Sequence, residues 1–499
     1  MQTVTRNRKD ATVANETEAP YGMPEPSTVS WREGVDRSTA VVVMAFFASS
    51  VAWLLIGSAL ALAASIKLHS PGFLGEWAWL TFGRVRPAHL NTVIYGWGSM
   101  AGIGALLWLT ARLCRVTLPF RLPLMVTCVL WNVAVAGGTW SILAGHGTSV
   151  EWLEFPYHWS FVFAGLFAIL MFSTLTMFTR RKVSHIYVSQ WYLLGSVLWF
   201  PFLYAQGNAL IHGNLATGVV QASANWWFAH NVLGLWFTPI GLAAVYYLLP
   251  KVLGRPIHSY YLSILGFWTL ALFYNWAGTH HLIGGPIPAW LVTVGTVGSV
   301  MMFIPVTTVA INHHMTTKGH FDKLRVSPTL RFIVFGAMSY TVVSFQGSLQ
   351  ALRTVNEVSH FTHYTVAHAH LGVYSFFSMV MFGSIYYIVP RLIGREWPSG
   401  ALLKLHFWLT ATGMVMYWVG LTWGGWFQGL EMNNPDIPFM DTVLMTVPYL
   451  WSRTVAGVLM TIGHVVFAVS LWLIFRPEAR DIKGPTLFDP SAAVTGGEG

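Results

Sequence analysis

Apolar stretches recur along almost the whole chain and are separated by short polar loops. A transmembrane helix needs about 20 predominantly apolar residues to cross the hydrocarbon core of a bilayer. Twelve stretches reach this length, and we predict a transmembrane helix in each: 39–66, 89–114, 122–144, 157–178, 186–206, 225–250, 259–281, 287–313, 329–350, 365–391, 403–427 and 447–475. The pattern therefore predicts an all-α polytopic membrane protein with twelve transmembrane helices.

The loops are too short to hold a second folded domain. We therefore predict one membrane domain over residues 39–476. Residues 1–38 and 477–499 are polar and contain several prolines, which is typical of disordered tails. The apolar core of a signal peptide does not follow the basic residues near the start of the chain.

Composition supports the membrane assignment. The chain has 499 residues, of which 54% are hydrophobic and 9% are charged, whereas about a quarter are charged in soluble domains. Its two cysteines, Cys114 and Cys128, are not part of a CxxCH motif, so a covalently attached c-type haem is excluded. We expect both cysteines to be unpaired packing residues.

The basic residues are distributed unequally between the two sides of the predicted bundle. With twelve helices, 23 of the 28 Lys and Arg fall on the side of both termini, and five fall on the other: Lys67, Arg84, Arg86, Arg353 and Arg453. Cytoplasmic loops are enriched in basic residues, so we predict cytoplasmic termini and a bacterial inner (plasma) membrane location. Because topology accounts for the net charge of +9, we expect no nucleic-acid partner.

Six histidines fall at the outer ends of four predicted helices: His89, His230, His280, His281, His368 and His370. One buried histidine is ordinarily a hydrogen-bonded core residue. Six at matched depth are different, because ionisable groups within membrane helices are costly and usually functional. Histidine is the commonest metal ligand, so the set predicts metal centres. Other histidines, such as His313, fall at the predicted cytoplasmic edge, where we expect them to be solvated, and His406 and His464 are assigned structural roles.

Spacing divides the six histidines between two centres. His368 and His370 are two residues apart, so they project from opposite sides of one helix. His280 and His281 can share an ion with a third ligand, for which His230 is the obvious choice; three imidazoles and an open position suit copper, with zinc and iron as alternatives. His89 would then pair with His368 or His370 at a six-coordinate haem, and the remaining histidine would bind a five-coordinate haem facing the ion. Such a site binds and reduces a diatomic gas.

Four segments resemble the catalytic subunit of cbb-type cytochrome c oxidases, in the haem–copper superfamily: FGRVRPAHLNTVIYGWG, WWFAHNVLG, FYNWAGTHHL and VNEVSHFTHYTVAHAHLG. The resemblance extends over nearly all the predicted helices. It implies that His89 and His370 ligate a low-spin haem b and that His368 ligates a high-spin haem b. It also implies that one copper ion is held by three histidines: His230, His280 and His281.

The resemblance also indicates which gas is reduced, dioxygen or nitric oxide. Tyr274 matches a tyrosine that in the family is linked covalently to the copper-binding histidine, here His230. The nearest alternative is nitric oxide reductase, in which non-haem iron replaces copper, a glutamate occupies the position of Gly234, and the tyrosine is missing. Both differences favour reduction of dioxygen to water. A non-catalytic cytochrome or transporter, a third possibility, leaves the three clustered histidines unexplained.

Further residues match the family less specifically. Thr238, Ser263 and Tyr340 resemble the proton input path that leads to Tyr274. Arg84, Arg86 and Arg453 lie at the predicted depth of the haem propionates, and Glu151 and Glu154 match a region where the family binds calcium. Gln346 stands where the family usually has a glutamate bonded to the proximal histidine, here His368, and a neutral amide predicts a higher haem potential.

This chain has no motif for a cofactor that would accept electrons from an external donor, because it has neither a CxxCH nor a binuclear copper motif. The resemblance implies membrane-anchored c-type cytochrome subunits as partners and soluble cytochrome c as the electron donor. The activity it implies is that of a terminal respiratory oxidase, in which reduction of dioxygen is coupled to proton uptake and translocation.

Overall fold

The computed structural model describes residues 26–476, with side chains from residue 31. Residues 1–25 and 477–499, which form most of the two predicted tails, lie outside this range. The first helix already begins at Pro26, and Val35 within it is buried in the bundle. The described part of the predicted N-terminal tail is therefore helical.

Twelve long helical segments follow one another along the described chain. We number them α1 Pro26–His69, α2 Phe82–Cys114, α3 Arg121–Ala144, α4 Tyr157–Thr179, α5 Val188–His212, α6 Gly218–Leu253, α7 Tyr260–Ala277, α8 Ala289–Thr317, α9 Pro328–Gln350, α10 His363–Ile393, α11 Gly400–Met432 and α12 Phe439–Leu473. Short helical segments connect some of them: Ala78–Leu80, Gly278–Leu282, Phe321–Arg325 and Arg353–Ser359. Residues 26–476 contain no strand, so the predicted all-α class is confirmed.

Nine of these helices are long and apolar enough to cross a membrane. The three others, α5, α7 and α11, overlap predicted spans but are less apolar along their length. The count of twelve transmembrane helices therefore stays a prediction. Both cysteines are buried and unpaired, as expected.

The helices differ in how far the bundle buries them. The apolar stretches of α2, α6 and α10 are 94%, 89% and 83% buried, whereas those of α3 and α4 are 44% and 39% buried. Large apolar side chains such as Leu122, Trp140 and Phe161 lie on the outer surface of α3 and α4. A lipid bilayer covers such a surface without cost. The three central helices are those that carry His89, His230 and the pair His368 and His370.

A π-helical turn interrupts each of the three central helices. The turns are Thr92–Gly98 in α2, Leu233–Phe237 in α6 and Leu371–Ser378 in α10, and each begins within three residues of a histidine described above. Single π-turns inside α-helices occur frequently at functional sites, because they locally change the direction of the side chains. Hydrophobic periodicity did not predict them.

Two glycines allow α11 to lie directly against the start of α10 and the short helix before it. A Cβ atom on Gly425 would lie 1.9 Å from the backbone nitrogen of Tyr364, and one on Gly429 would lie 1.7 Å from the carbonyl oxygen of Val358. Gln428 also links α11 to the start of α10, because its side-chain oxygen accepts a hydrogen bond of 2.9 Å from the backbone nitrogen of His363. Backbone contact at these glycines therefore positions the start of the helix that carries His368 and His370.

We expect Gly425→Ala to destabilise the protein by about 1–3 kcal/mol or more, because the added methyl group overlaps backbone atoms that cannot rotate away. Gly400→Ala is the matched control, since Gly400 also lies in α11 and has no atom within 4 Å of its Cβ position. Thermal unfolding followed by tryptophan fluorescence measures both. Equal unfolding temperatures for the two variants would contradict the close contact.

Candidate metal centres

Three buried or half-buried imidazoles converge between α6, the segment after α7 and α8. His230 comes from α6, and His280 and His281 come from the Gly278–Leu282 segment. One ring nitrogen from each lies within 4.8 Å of the others. The ring centres of His280 and His281 are 4.4 Å apart, and that of His230 is 4.9 Å from His280 and 5.5 Å from His281. This arrangement can hold one metal ion with three nitrogen ligands.

Neighbouring side chains orient two of these rings. The Ser299 hydroxyl donates to the Gly295 carbonyl at 2.8 Å, so its oxygen accepts from Nδ1–H of His280 at 2.7 Å. This fixes the tautomer and leaves Nε2 of His280 as the ligand atom. His281 stacks on Trp226 with ring centres 4.1 Å apart and planes 12° apart. Sequence reasoning missed both supports, because neither side chain is close in sequence to the ring that it contacts.

Tyr274 lies against the third ring. Its ring centre is 4.3 Å from that of His230, with 24° between the planes. A Cβ atom on Gly234 would lie 1.9 Å from two carbons of the same tyrosine ring. The ring of Tyr274 therefore occupies the space into which any side chain at position 234 would extend. A glutamate at position 234 and a tyrosine at position 274 exclude each other unless the helices move apart.

A second pair of imidazoles, His89 on α2 and His370 on α10, borders a largely apolar cavity. Nδ1 of His89 is 2.9 Å from the Gly57 carbonyl oxygen, and Nδ1 of His370 is 2.9 Å from that of Val366. A carbonyl oxygen only accepts, so each Nδ1 carries the proton and each Nε2 has the lone pair that can bind a metal; the Tyr417 hydroxyl lies 3.4 Å from Nε2 of His370. Aromatic walls of the same cavity include Trp97 and Phe377. This combination suits an axially ligated planar cofactor such as a haem.

His368 and His370 serve different sides of α10. All six histidines border a larger cavity, whereas the smaller one is bordered by His89 and His370 and not by His368. His368 thus borders the same cavity as the three converging imidazoles of His230, His280 and His281. Its Nδ1 has no hydrogen-bond partner within residues 26–476. The structure therefore gives the two neighbouring histidines the separate surroundings that their spacing predicts.

Gln346 is buried on α9, next to Gly347, whose Cβ position is 2.9 Å from Cε1 of His368. Its side-chain oxygen accepts a hydrogen bond of 3.1 Å from Nε1 of Trp418, and its nitrogen has no partner in the described range. The polar atom of the Gln346 amide that remains unpaired is therefore its nitrogen, which can only donate a hydrogen bond. The hydrogen bond that a glutamate would offer to His368 is not formed here.

The three outer arginines lie in different places. Arg86 borders the larger cavity and pairs with Glu151, with 2.6 Å between Nη2 and Oε1. Arg453 borders both cavities. Arg84 instead donates a hydrogen bond of 3.2 Å to the Leu143 carbonyl and borders neither cavity. Two of the three predicted propionate ligands are thus beside the cavities.

Glu151 and Glu154 have different surroundings. Glu151 borders the larger cavity, and its Oε1 is engaged by Arg86. Glu154 is buried in the loop between α3 and α4, where it accepts a hydrogen bond of 2.9 Å from Asn91. Burial raises the pKa of the Glu154 carboxyl to about 7, although the Asn91 bond and the charge of Arg86 oppose the rise.

The predicted hydroxyl path is assembled only in part. Thr238, Tyr340 and Tyr274 border the larger cavity. Ser263 does not, and its hydroxyl donates to the Tyr260 carbonyl of its own helix at 2.6 Å. Serine in a helix commonly makes this local bond, and it leaves no free proton on Ser263 to pass on.

Comparison with known proteins places this chain in a family. The profile of cytochrome c and quinol oxidase polypeptide I matches residues 41–459. Cytochrome c oxidase subunit 1 of Rhodobacter capsulatus is 32% identical over 90% of this chain and 87% of that protein, and the cbb3-type subunit CcoN1 of Stutzerimonas stutzeri is 33% identical over 86% and 94%. A nitric oxide reductase protein of Stutzerimonas stutzeri is 26% identical over 61% of this chain and 64% of that protein.

Comparison of structures supports the fold. A heme-copper terminal oxidase solved as a dimer by cryo-electron microscopy aligns with a TM-score of 0.69. The alignment covers 91% of this chain and 86% of that one at 17% sequence identity. At this sequence identity the structural similarity shows only that the helices are arranged alike.

We expect Ser299→Ala to weaken metal binding at the three converging histidines about 10–100-fold, because His280 loses the acceptor that fixes its ring. Ser196→Ala is the matched control, since this buried hydroxyl bonds only to its own helix, at Leu193. Metal retained per chain after dialysis against a graded chelator series measures the change. Equal retention in both variants would show that Ser299 does not orient the ligand.

Proposed function

Because this chain belongs to the cytochrome c and quinol oxidase polypeptide I family, we propose that it is the catalytic subunit of a bacterial terminal oxidase that reduces dioxygen to water. The observation that supports this most directly is the larger cavity, which is bordered both by His368 and by the three converging histidines. Such a cavity admits a small molecule between two redox-active metals. Its wall also includes Tyr274.

The proposed cofactors are two b-type haems and one copper ion. Nδ1 of His368 is buried without a partner in the described range, and a buried polar nitrogen of this kind is costly unless something binds the ring. His89 and His370 would hold the low-spin haem, His368 the high-spin haem, and His230, His280 and His281 the copper. When bound, the high-spin haem and the copper supply the site at which the gas is reduced.

The protein's own residues would position these groups and deliver protons. Arg86 and Arg453 border the cavities and would pair with the haem propionates, because a guanidinium binds carboxylates strongly. Tyr274 would donate a proton, and in the family's manner an electron, from a ring in contact with His230. Thr238 and Tyr340 would supply Tyr274 through the larger cavity. Calcium would have to bind Glu151 beside the Arg86 guanidinium, which already engages one carboxylate oxygen.

Partners and orientation complete the proposal. Electrons would arrive from soluble cytochrome c through membrane-anchored c-type cytochrome subunits, since this chain carries no covalent haem motif. The excess of Lys and Arg on one side supports cytoplasmic termini and an inner-membrane location. The metal centres would then lie towards the outer face, where such partners can reach them.

Nitric oxide reduction is less well supported. The ring of Tyr274 fills the space beside Gly234, and this is where those reductases carry a glutamate that suits iron. The three ligands of this chain are all imidazoles, a set that suits copper.

The proposed function is tested by metal analysis and turnover of the purified complex. We expect one copper and two non-covalent haem irons per copy of this chain, and dioxygen consumption with reduced cytochrome c. His280→Ala should lose the copper and at least about 100-fold of the turnover, because the binuclear site is incomplete. Three irons without copper, together with faster turnover on nitric oxide than on dioxygen, would favour the reductase instead.

We expect Gln346→Glu to lower the midpoint potential of the high-spin haem. Trp418 would still bind one carboxylate oxygen, and the second oxygen would replace a donor by an acceptor for the His368 ring. Redox titration followed by haem absorbance measures the change. The low-spin haem is the internal control, since its proposed ligands do not adjoin Gln346; equal shifts of both haems, or no shift, would contradict the expectation.

A further inference from the structure

His313 has surroundings that its sequence position did not predict. Expected to be solvated at the membrane edge, it is instead 2% exposed in the last turns of α8. Neither of its ring nitrogens has a hydrogen-bond partner within residues 26–476. A neutral imidazole offers one donor and one acceptor, so leaving both unused in the interior is costly.

Two buried tyrosines lie beside His313. The ring centre of Tyr246 on α6 lies 4.6 Å from that of His313, and Tyr192 on α5 stacks on Tyr246 at 5.8 Å. Both tyrosines are buried; the Tyr246 hydroxyl bonds to the Asn312 side chain, and the Tyr192 hydroxyl has no hydrogen-bond partner in the described part of the chain. Three unpartnered polar atoms, the two His313 nitrogens and the Tyr192 hydroxyl, thus lie between α5, α6 and α8.

Tyr340 connects this group to the larger cavity. Its hydroxyl is buried and bonds to the Ser344 side chain, and it borders the cavity that contains Tyr274. Tyr340 and Tyr274 line the same cavity, and α9, which carries Tyr340, packs against the part of α6 that carries Tyr246. The polar groups therefore continue from the end of α8 to the candidate metal centres.

Internal water is the usual partner of buried polar groups that the protein leaves unsatisfied. A water molecule needs two to four polar partners, and His313, Tyr246, Tyr192 and Tyr340 provide them in one region. Ser263, the hydroxyl expected on this route, is bound to its own helix instead. A water-mediated route through these groups would therefore pass beside α8 and not along the Ser263 side of α7.

We propose that His313 is a proton-transfer residue that passes protons from the cytoplasmic end of α8 through Tyr246 and Tyr340 to Tyr274. The inference rests on the proposed function, which consumes protons at the metal centres. The imidazole accepts a proton on one ring nitrogen and releases another from the second, so its net charge is unchanged after each transfer. Each tyrosine hydroxyl and water molecule on the route likewise receives one proton and gives up one.

The test uses the purified complex with His313→Phe, which keeps an aromatic ring and removes both nitrogens. We expect turnover to fall about 100-fold, with copper content and haem spectra unchanged. The solvent deuterium isotope effect on turnover should rise, because proton transfer becomes rate-limiting. In His313→Ala, added imidazole should restore part of the turnover.

His314→Phe is the matched control on the same helix. The His314 ring bonds to Thr341 at 3.1 Å, and we expect turnover within about twofold of wild type for this variant.

Two results would overturn the proposal. One is wild-type turnover and isotope effect in His313→Phe. The other is full turnover in His313→Gln, which hydrogen-bonds to water but cannot transfer a proton through its side chain as imidazole does; this variant also decides the question if His313→Phe fails to assemble. Wild-type turnover with dioxygen separately tests the proposed function. If the wild type reduces nitric oxide instead, that reaction also consumes protons, and the ratio of variant to wild type on nitric oxide decides the role of His313.

Discussion

The structure depends on the cost of burying imidazoles inside an apolar helix bundle. A neutral imidazole has one donor and one acceptor nitrogen, and both must be used where water is excluded. The protein supplies an acceptor to one nitrogen in three cases: Ser299 to His280, the Gly57 carbonyl to His89 and the Val366 carbonyl to His370. The second nitrogen is then left facing a cavity. A bound metal ion would satisfy it, so the hydrogen bond that orients each ring also reduces the cost of burying it.

The central position of α10 follows from this requirement. His368 borders the larger cavity alone and His370 borders both cavities, so α10 is enclosed on both sides. Gly425 and Gly429 let α11 approach its start at backbone distance. The π-turns in α2, α6 and α10 lie just after the histidines, where they change the direction of the side chains that follow.

One steric relation unites two features of the gas-reducing site. Gly234 lies in the π-turn of α6, and the ring of Tyr274 fills the space next to it. A side chain at position 234 would compete with the tyrosine for that volume. Glycine at position 234 therefore leaves room for the Tyr274 ring beside His230. A carboxylate side chain at position 234 would occupy the same space.

The amino-acid sequence by itself determined the all-α membrane fold, the family and the choice of six histidines, because apolar length, helical spacing and the motifs are properties of contiguous segments. His368 and His370 were assigned to opposite sides from their separation alone. Only the tertiary structure decided which nitrogen of His89, His280 and His370 has the lone pair that can bind a metal, since their partners come from neighbouring turns and other helices. It also decided that Arg453 reaches the cavities and Arg84 does not, and that His313 is buried while Ser263 bonds to its own backbone. These outcomes depend on side-chain contacts between helices, which hydropathy and periodicity do not encode.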